Sequence, residues 1–564
     1  MQIYPSRQEK NEYRVLCFAV LMIAAMLTLP FIGIGHFYTR GEPREAIVAV
    51  AMMEQSNYIL PIFQGEFAFK PPMLHWLVSL FSLPQGYVSE FTARMPSAVA
   101  FIAMCTGFFS FFARRYPMRR VFLATLILIT SFEVHRAAMT CRVDMVLTAF
   151  MVGGFISLYR WHERHLKGLP IVASLLISGA ILTKGPIGAI LPCFALTMMM
   201  LTGGEGLKRC VIACLKIVFL AAIIPALWYI AAYHYGGDEF IALVMEENFG
   251  RFLGKMTYES HENGVFYYFP ILLGGLMPWT LLAVCGLFTE KWKKITPKTW
   301  WRQFSEMHPI RRWSLIVSIC VFVFYLIPKS KRSVYLLPLY PFISLLIADY
   351  TFHLLQYHRK AVRVFALTLA SLAILFSIAM ISVRHLDLSI LGDSRSSQRL
   401  ICQLAELQKD NNTVTYLIMA IIPLLTAVVL LWKRALSLKP LTLAVCSWIA
   451  CLFTIEASLN PAIKNSVPDY RFSQTVKHYT RNSETWYFNP RKDETLYCIA
   501  FYLGDKVKEV NSAAQLPPTG YVMLRLKDAE AFEQQAINRN IARVLTTDNE
   551  FTSIKHDLVL YRFE

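Results

Sequence analysis

Val15 to Ile34 is an unbroken run of 20 residues with no charged side chain, and comparable runs recur along most of the chain. A helix of about 20 residues crosses the hydrocarbon core of a bilayer. A single run at the amino terminus would read as a signal peptide. Recurrence rules that out, and no small-residue cleavage site follows the first run. Mean hydropathy of +0.43 over 564 residues fits the same reading. Backbone polar groups in lipid must be satisfied within the segment, so the runs are expected to be helices packed as a bundle.

Thirteen spans are expected, at approximately 15–34, 91–113, 120–136, 145–160, 170–183, 186–202, 210–233, 265–287, 313–328, 334–354, 363–383, 413–432 and 440–458. The net charge of +18 would suggest nucleic acid in a soluble protein. Here the basic residues cluster in alternate loops: Arg7, Lys10 and Arg14; Arg114, Arg115, Arg119 and Arg120; Arg160, Arg164 and Lys167; Lys208 and Arg209; seven Lys or Arg between Lys291 and Arg312; Arg359, Lys360 and Arg363; Lys433 and Arg434. Such placement is a topology signal rather than a nucleic-acid surface, so no nucleic-acid partner is expected. It puts the amino terminus in the cytoplasm and the carboxyl terminus outside. The long first outer loop, about 36–90, mixes charges, aromatics and prolines.

After about Asn460 hydropathy falls. Strand-like runs at Thr485–Phe488, Tyr497–Tyr502 and Gly520–Leu526 surround a helix-like stretch near Asp528–Ile537. The expected fold is therefore an all-α polytopic membrane bundle of about thirteen helices with a small α/β extracytoplasmic C-terminal domain, divided as 1–460 and 461–564. The 12 cysteines include no CxxC pair, and most lie in apolar segments as packing residues. Cys141, Cys402 and Cys498 fall outside the spans, where the sequence supports no particular disulfide. There is no internal repeat, no low-complexity segment, no P-loop and no dinucleotide fingerprint.

Six polar clusters stand at outer span ends: Tyr38-Thr-Arg-Gly-Glu42-Pro-Arg44-Glu45, Phe69-Lys70-Pro-Pro72, Arg142-Val-Asp144, Leu182-Thr-Lys184-Gly-Pro186, Glu246-Glu247-Asn248-Phe-Gly-Arg251, and Lys329-Ser-Lys331-Arg332-Ser-Val-Tyr335. Ionisable groups close to hydrocarbon are paired or functional. Lys184, between two apolar runs and followed by a helix break, reads as a snorkelling lysine or as a phosphate ligand. Lys329, Lys331 and Arg332 break the positive-inside pattern, for which an anionic headgroup is one reason. Asp144 reads as a structural partner of Arg142, as a charge at a helix start, or as a cavity carboxylate. Glu42, Arg44 and Glu45 flank Pro43 and read either as a functional cluster or, from Glu45, as the start of a solvated amphipathic helix through Ala46–Met53. His75, His135 and His261 have no metal-ligand spacing and read as packed or interfacial.

These clusters, in this order, resemble the bacterial aminoarabinose transferases of lipid A and the protein O-mannosyltransferases, both C-type membrane glycosyltransferases. The resemblance covers essentially the whole chain. It implies about thirteen helices, two juxtamembrane helices in the first outer loop, and an outward C-terminal domain. The implied activity is transfer of a pentosyl or hexosyl group from a polyprenyl-phosphate donor to lipid A, an envelope glycan or a protein, at the outer face of the bacterial inner membrane. The implied partners are that donor, that acceptor and membrane lipids. Lys70, Lys184, Arg251, Lys331 and Tyr335 are implied to hold the donor phosphate. Asp144 is implied to be catalytic, and Arg44, Glu45, Arg142 and Glu247 to line the cavity. No cofactor is called for; a divalent metal is left open, without ligands.

One position departs from the family. The first loop motif usually begins Asp-Glu-x-Arg, and here Gly41-Glu42-Pro43-Arg44 puts glycine at the presumed catalytic Asp. The Tyr at Glu45, and the Tyr and Glu at Phe67 and Phe69, are also lost. A hydroxyl acceptor needs a base, for which Glu42 is the adjacent candidate. A phosphate acceptor is already ionised and needs positioning more than a base. The competing readings are a membrane lipid or sugar transporter or flippase, and an inactive lipid-binding relative. Transporters favour repeats and mid-span charges, whereas here the charges gather at outer span ends.

Overall fold

The computed structural model describes residues 7–63, 65–68, 70–247, 262–288, 297–392, 394–409, 413–432, 440–481, 484–504, 506–547 and 552–564. The apolar runs are helices. In the first half these are α1 (Arg7–Met26), α2 (Gly41–Glu54), α3 (Met73–Ser82), α4 (Glu90–Phe112), α5 (Met118–Thr130), α6 (Phe132–Ala138), α7 (Val143–Glu163), α8 (Ile171–Lys184), α9 (Ile187–Thr202) and α10 (Leu207–Met245). Helix also fills the larger part of each later expected span, through Pro440–Asn465.

Among the described residues, seven helices are long and apolar enough to cross a membrane, or up to nine if each of two bent pairs is one span. The pairs bend by 64° between α5 and α6 and by 103° between Val265–Gly275 and Trp279–Leu287, where Pro278 interrupts the run. The segments at α8 and α9 are shorter than a bilayer because Gly185 and Pro186 end one helix and start the next. Gly185 has φ +75° and ψ −156°, a region open essentially to glycine alone. Gly188 completes the close approach: a Cβ there would lie 2.6 Å from the Ala180 carbonyl carbon. This tight α8–α9 junction ends α8 on Lys184.

The bundle core is aromatic, built around Phe101, Phe108, Phe112, Phe155, Trp279, Trp313 and Tyr340. Its polar groups are bonded across helices. Trp279 Nε1 donates to Thr130 Oγ1 at 2.9 Å, and Trp448 Nε1 donates to the Thr130 carbonyl at 2.9 Å. On α10, Leu215, Phe219, Leu227 and Ile230 are exposed, as expected of a helix facing lipid.

The C-terminal region carries five strands, β1 (Thr485–Phe488), β2 (Val507–Val510), β3 (Gly520–Arg525), β4 (Ile541–Thr546) and β5 (Leu558–Phe563), in one sheet of order β2-β1-β3-β5-β4. β1 pairs parallel with both β2 and β3, and β5 pairs antiparallel with β3 and β4. The run Tyr497–Tyr502, expected as a strand, is the helix Tyr497–Leu503. Cys498 through Leu503 are all buried, and a short helix so enclosed shows no 3.6-residue period to separate it from a buried strand.

The sheet explains a second difference. α2 is a buried helix from Gly41, not a solvated one from Glu45. Ile47, Val48, Ala51 and Met52 pack against Tyr487, Met523, Leu558 and Leu560 on one sheet face. Val522, Leu524 and Val559 point the other way, onto Phe532. The segment 36–90 is tied to the C-terminal region again where the His36 ring stacks on Tyr470 and Tyr502 donates to Glu90 at 2.9 Å. All twelve cysteines are free thiols.

Candidate active site

The clusters that were scattered in sequence converge on one cavity of about 570 Å³. α2 supplies Arg44 and Glu45. The turn before α3 supplies Lys70 and Pro71, and the start of α7 supplies Arg142, Val143 and Asp144. The α8–α9 junction supplies Thr183, Lys184, Pro186, Ile187 and Ile190. Glu247 follows α10, and the helix Pro309–Leu326 with its following segment supplies Phe324, Tyr325, Pro328, Ser330, Arg332 and Tyr335. Ile187, Ile190, Phe324, Tyr325 and Pro328 make part of the wall apolar.

Two carboxylates organise the cations. Asp144 Oδ1 accepts from Lys184 Nζ at 2.6 Å, and Oδ2 lies 3.9 Å from Arg142 Nε. The Lys184 ammonium also sits 4.3 Å from the centre of the Tyr335 ring, a cation–π contact. Glu45 Oε1 accepts from Lys70 at 2.6 Å and from Arg44 at 3.1 Å, while Oε2 is 3.2 Å from His75 Nε2. Burial alone would raise the Glu45 carboxyl, but Lys70, His75 and Arg44 outweigh it and hold it well below the usual range. Lys70 moves the other way: burial and then the neighbouring Arg44 push its ammonium down to about 8, against the pull of Glu45. Glu45 is thus a fixed anion that sets two cations in place, and Lys70 is a cation whose charge is held at a cost.

Other expected residues lie elsewhere. Glu42 is 2% exposed and does not line the cavity. Arg94 binds its two oxygens at 2.8 and 3.3 Å, and the Cys141 amide donates to it at 3.0 Å. Arg94 continues to the carbonyls of Ile32 and Gly35, both at 2.9 Å. The ion pair therefore pins α2 to α4 and to the backbone just before Arg142. Lys331 is buried, donates to the Pro328 carbonyl and leaves the lining to Arg332. Adjacent residues of an irregular segment point in different directions, so the sequence identified the cluster without identifying which cation faces inward. Arg251 and His261 lie outside the described residues. His135 is 3.1 Å from Glu456, buried away from the cavity. Tyr325 was missed because it reads as an ordinary span residue, and Thr183 was seen only as part of the Lys184 cluster. Among the described residues, no three His, Cys, Asp or Glu side chains come together as a metal donor set.

The chain is similar to known proteins in sequence and in fold. The family described as dolichyl-phosphate-mannose-protein mannosyltransferase matches residues 69–229, a stretch that contains Lys70, Asp144 and Lys184. An uncharacterized protein of Aquifex aeolicus is 27% identical over 352 residues, which are 59% of this chain and 63% of that protein. The undecaprenyl phosphate-alpha-4-amino-4-deoxy-L-arabinose arabinosyl transferase of Shewanella sediminis is 22% identical over 382 residues, 66% of each chain. The chain thus spans somewhat under two thirds of these curated relatives. In three dimensions the likeness is more extensive. The crystal structure of ArnT from Cupriavidus metallidurans bound to undecaprenyl phosphate superposes with a TM-score of 0.71 at 17% identity, over 97% of this chain and 98% of that one. The apo structure of the same protein gives 0.70. The chain is thus similar in sequence to the aminoarabinose transferases and, over residues 69–229, to the protein mannosyltransferases, and similar in fold to ArnT.

Proposed function

We propose that this cavity transfers a sugar, pentosyl or hexosyl, from a polyprenyl-phosphate carrier to an acceptor that is lipid A, another envelope glycan or a protein. The observation that carries the reading is the placement of Lys184 and Lys70 in one cavity, part of whose wall is apolar at Ile187, Ile190 and Phe324. A phosphate takes the cations and an isoprenoid takes the apolar side. The curated relative named for an undecaprenyl-phosphate-linked arabinose donor and the similar fold solved with undecaprenyl phosphate support the same chemistry.

In the reaction an acceptor oxygen bonds to the anomeric carbon as the bond from that carbon to the carrier phosphate breaks. The electron pair leaves with the phosphate. Lys184 and Lys70 neutralise the charge that grows there, an effect usually large in catalysis. Arrival of the phosphate gives Lys184 a second anionic partner beside Asp144 and frees that carboxylate to face the acceptor. A hydroxyl acceptor gives its proton to Asp144; an ionised phosphate acceptor needs no base. Glu42 serves as the clamp beneath the site rather than as the base.

The remaining assignments belong to the same proposal. The first 460 residues form the membrane unit of thirteen crossings and residues 461–564 the outward unit, in the bacterial inner membrane, with the amino terminus cytoplasmic and the carboxyl terminus periplasmic. A periplasm-active reporter fused after Glu564 is expected to be active, and activity only of a cytoplasmic reporter overturns that topology. Mass spectrometry of envelope glycolipids and glycoproteins from a deletion strain tests the activity. Loss of one sugar from one acceptor class is expected, and an unchanged envelope under conditions of expression contradicts it.

A further inference from the structure

The sequence reads His75 as a packed or interfacial residue, and its surroundings make plain packing a costly choice. His75 is the third residue of α3 and is 1% exposed. Its Nε2 lies 3.2 Å from Glu45 Oε2 on α2. Its other ring nitrogen, Nδ1, is buried and meets no hydrogen-bond partner among the described residues. A buried ring nitrogen without a partner costs stability, and an apolar side chain of similar size would avoid that cost. What the imidazole contributes is its bond to Glu45, and that bond has a definite sense. Lys70, His75 and Arg44 hold Glu45 as a carboxylate, and a carboxylate only accepts. His75 therefore donates from Nε2.

Lys70 and His75 stand on either side of Pro71 and Pro72 and reach the carboxylate at different oxygens. Glu45 Oε1 takes Lys70 Nζ at 2.6 Å and Arg44 at 3.1 Å, while Oε2 takes His75. One oxygen serves both cations, and the other is turned into the protein. Arg44 Nε makes no hydrogen bond among the described residues. The last side-chain torsion of a glutamate is soft. Without His75, Oε2 loses its donor and is free to turn toward Arg44 and Lys70. Charge-assisted bonds are the strong ones, so both cations would then be tied more closely to Glu45 and be less open to an incoming anion.

We propose that His75 is a positioning residue of the carrier site, which holds Glu45 Oε2 and so limits the carboxylate to one oxygen on Lys70 and Arg44, keeping both cations available to a phosphate. The inference rests on the transferase reading and deepens it. His75 does not line the cavity and acts only through Glu45.

The test uses the full chain in lipid nanodiscs and two readouts. The first is the titration of Lys70 in carrier-free protein, read from the pH dependence of acetic anhydride labelling at that lysine by mass spectrometry. The wild-type midpoint is expected near 8, with Arg44, Glu45 and Glu247 bearing on it. In His75→Leu a less shared carboxylate stabilises the ammonium further, so the midpoint is expected to be higher by about half a pH unit or more. The second readout is undecaprenyl phosphate affinity at pH 7.5, expected to fall about three- to tenfold in the same variant, the worth of one hydrogen bond. A site that is merely loosened would bind less tightly without a higher lysine midpoint, so the two effects together separate positioning from packing. His75→Gln, whose amide N–H reaches the place of Nε2, is expected to restore most of both. Should His75→Leu not fold, His75→Asn takes its place with the same expected shifts, because its shorter amide stands on the Nδ1 side. A midpoint that is unchanged or lowered, an unchanged affinity, or a His75→Gln protein that behaves like His75→Leu overturns the inference. If wild type binds no undecaprenyl phosphate, the carrier reading falls, and the labelling titration still decides whether His75 sets Glu45 against Lys70.

Discussion

Lys184 Nζ lies 2.6 Å from Asp144 Oδ1 while resting over the face of Tyr335, so one ammonium is held between a carboxylate and an aromatic ring at the junction of two short helices. A lysine placed only to reach water at a span end needs neither partner. In the proposed reaction, removing this cation takes away positive charge beside the departing phosphate. Lys184→Ala is expected to lower turnover by about 2–4 kcal/mol of transition-state stabilisation, roughly 30- to 1000-fold. Size-exclusion behaviour and melting temperature stay near wild type. Unchanged turnover in well-folded protein would reduce Lys184 to a snorkelling residue.

The Lys70 ammonium gives the site a pH dependence with a definite sign. With its pKa depressed to about 8, Lys70 is charged below that pH and neutral above it. Affinity for undecaprenyl phosphate is expected to fall as pH rises from about 7.5 to 9.5, with the phosphate fully ionised throughout. Stability linked to the same group moves oppositely. The unfolded chain binds more protons than the folded one between pH 8 and the ordinary lysine value, so this contribution rises with pH over that window. Binding isotherms of wild type and Lys70→Arg check it, because the arginine form should stay flat to pH 9.5. A wild-type affinity that is also flat contradicts the assignment.

Glu42 and Arg94 form a buried ion pair outside the cavity lining, and the pair is expected to act in folding rather than in the reaction. Glu42→Leu strands a charged guanidinium and is expected to cost about 3–5 kcal/mol, read as a large drop in melting temperature. Glu42→Leu with Arg94→Met is expected to recover more than half of that loss. Glu42→Gln keeps the shape, and its turnover per folded molecule stays within a few-fold of wild type. A loss of 100-fold or more in folded Glu42→Gln, against full activity in Asp144→Asn, would move the base from Asp144 to Glu42, that being the usual size of a general-base contribution.

The backbone at Gly185 is the simplest way to disturb the site without touching its chemistry. At φ +75° an alanine is expected to cost about 1–3 kcal/mol and to shift the end of α8, carrying Lys184 away from Asp144. Turnover should fall while Lys184 and Asp144 are both present, and carrier affinity should fall with it. A Gly185→Ala protein with wild-type kinetics would show that the junction does not position the lysine.

The apolar runs and the basic loops were legible because both follow from the solvent: lipid demands long uncharged helices, and insertion sorts the charges. The site was legible as clusters. Asp144, Lys184, Lys70 and Tyr335 were picked from ionisable or aromatic groups beside hydrocarbon, and the fold brings them together. What the sequence did not carry is direction. Glu42 and Glu45 are three residues apart on α2, yet one faces Arg94 and the other the cavity, and only packing against the C-terminal sheet decides which. The same holds for Lys331 and Arg332. The helix Tyr497–Leu503 was read as a strand because burial on all sides erases its period.

The central claim is that this cavity cleaves a polyprenyl-phosphate sugar. The direct measurement reconstitutes the purified full chain in vesicles with radiolabelled undecaprenyl-phosphate sugar and envelope lipids from the same cells, and follows release of undecaprenyl phosphate. Wild type is expected to release it with the label passing to an acceptor, and Lys184→Ala and Asp144→Asn to fall far behind at equal folded protein. Carrier that crosses the bilayer intact, or that binds and is never cleaved by wild type, would contradict the account.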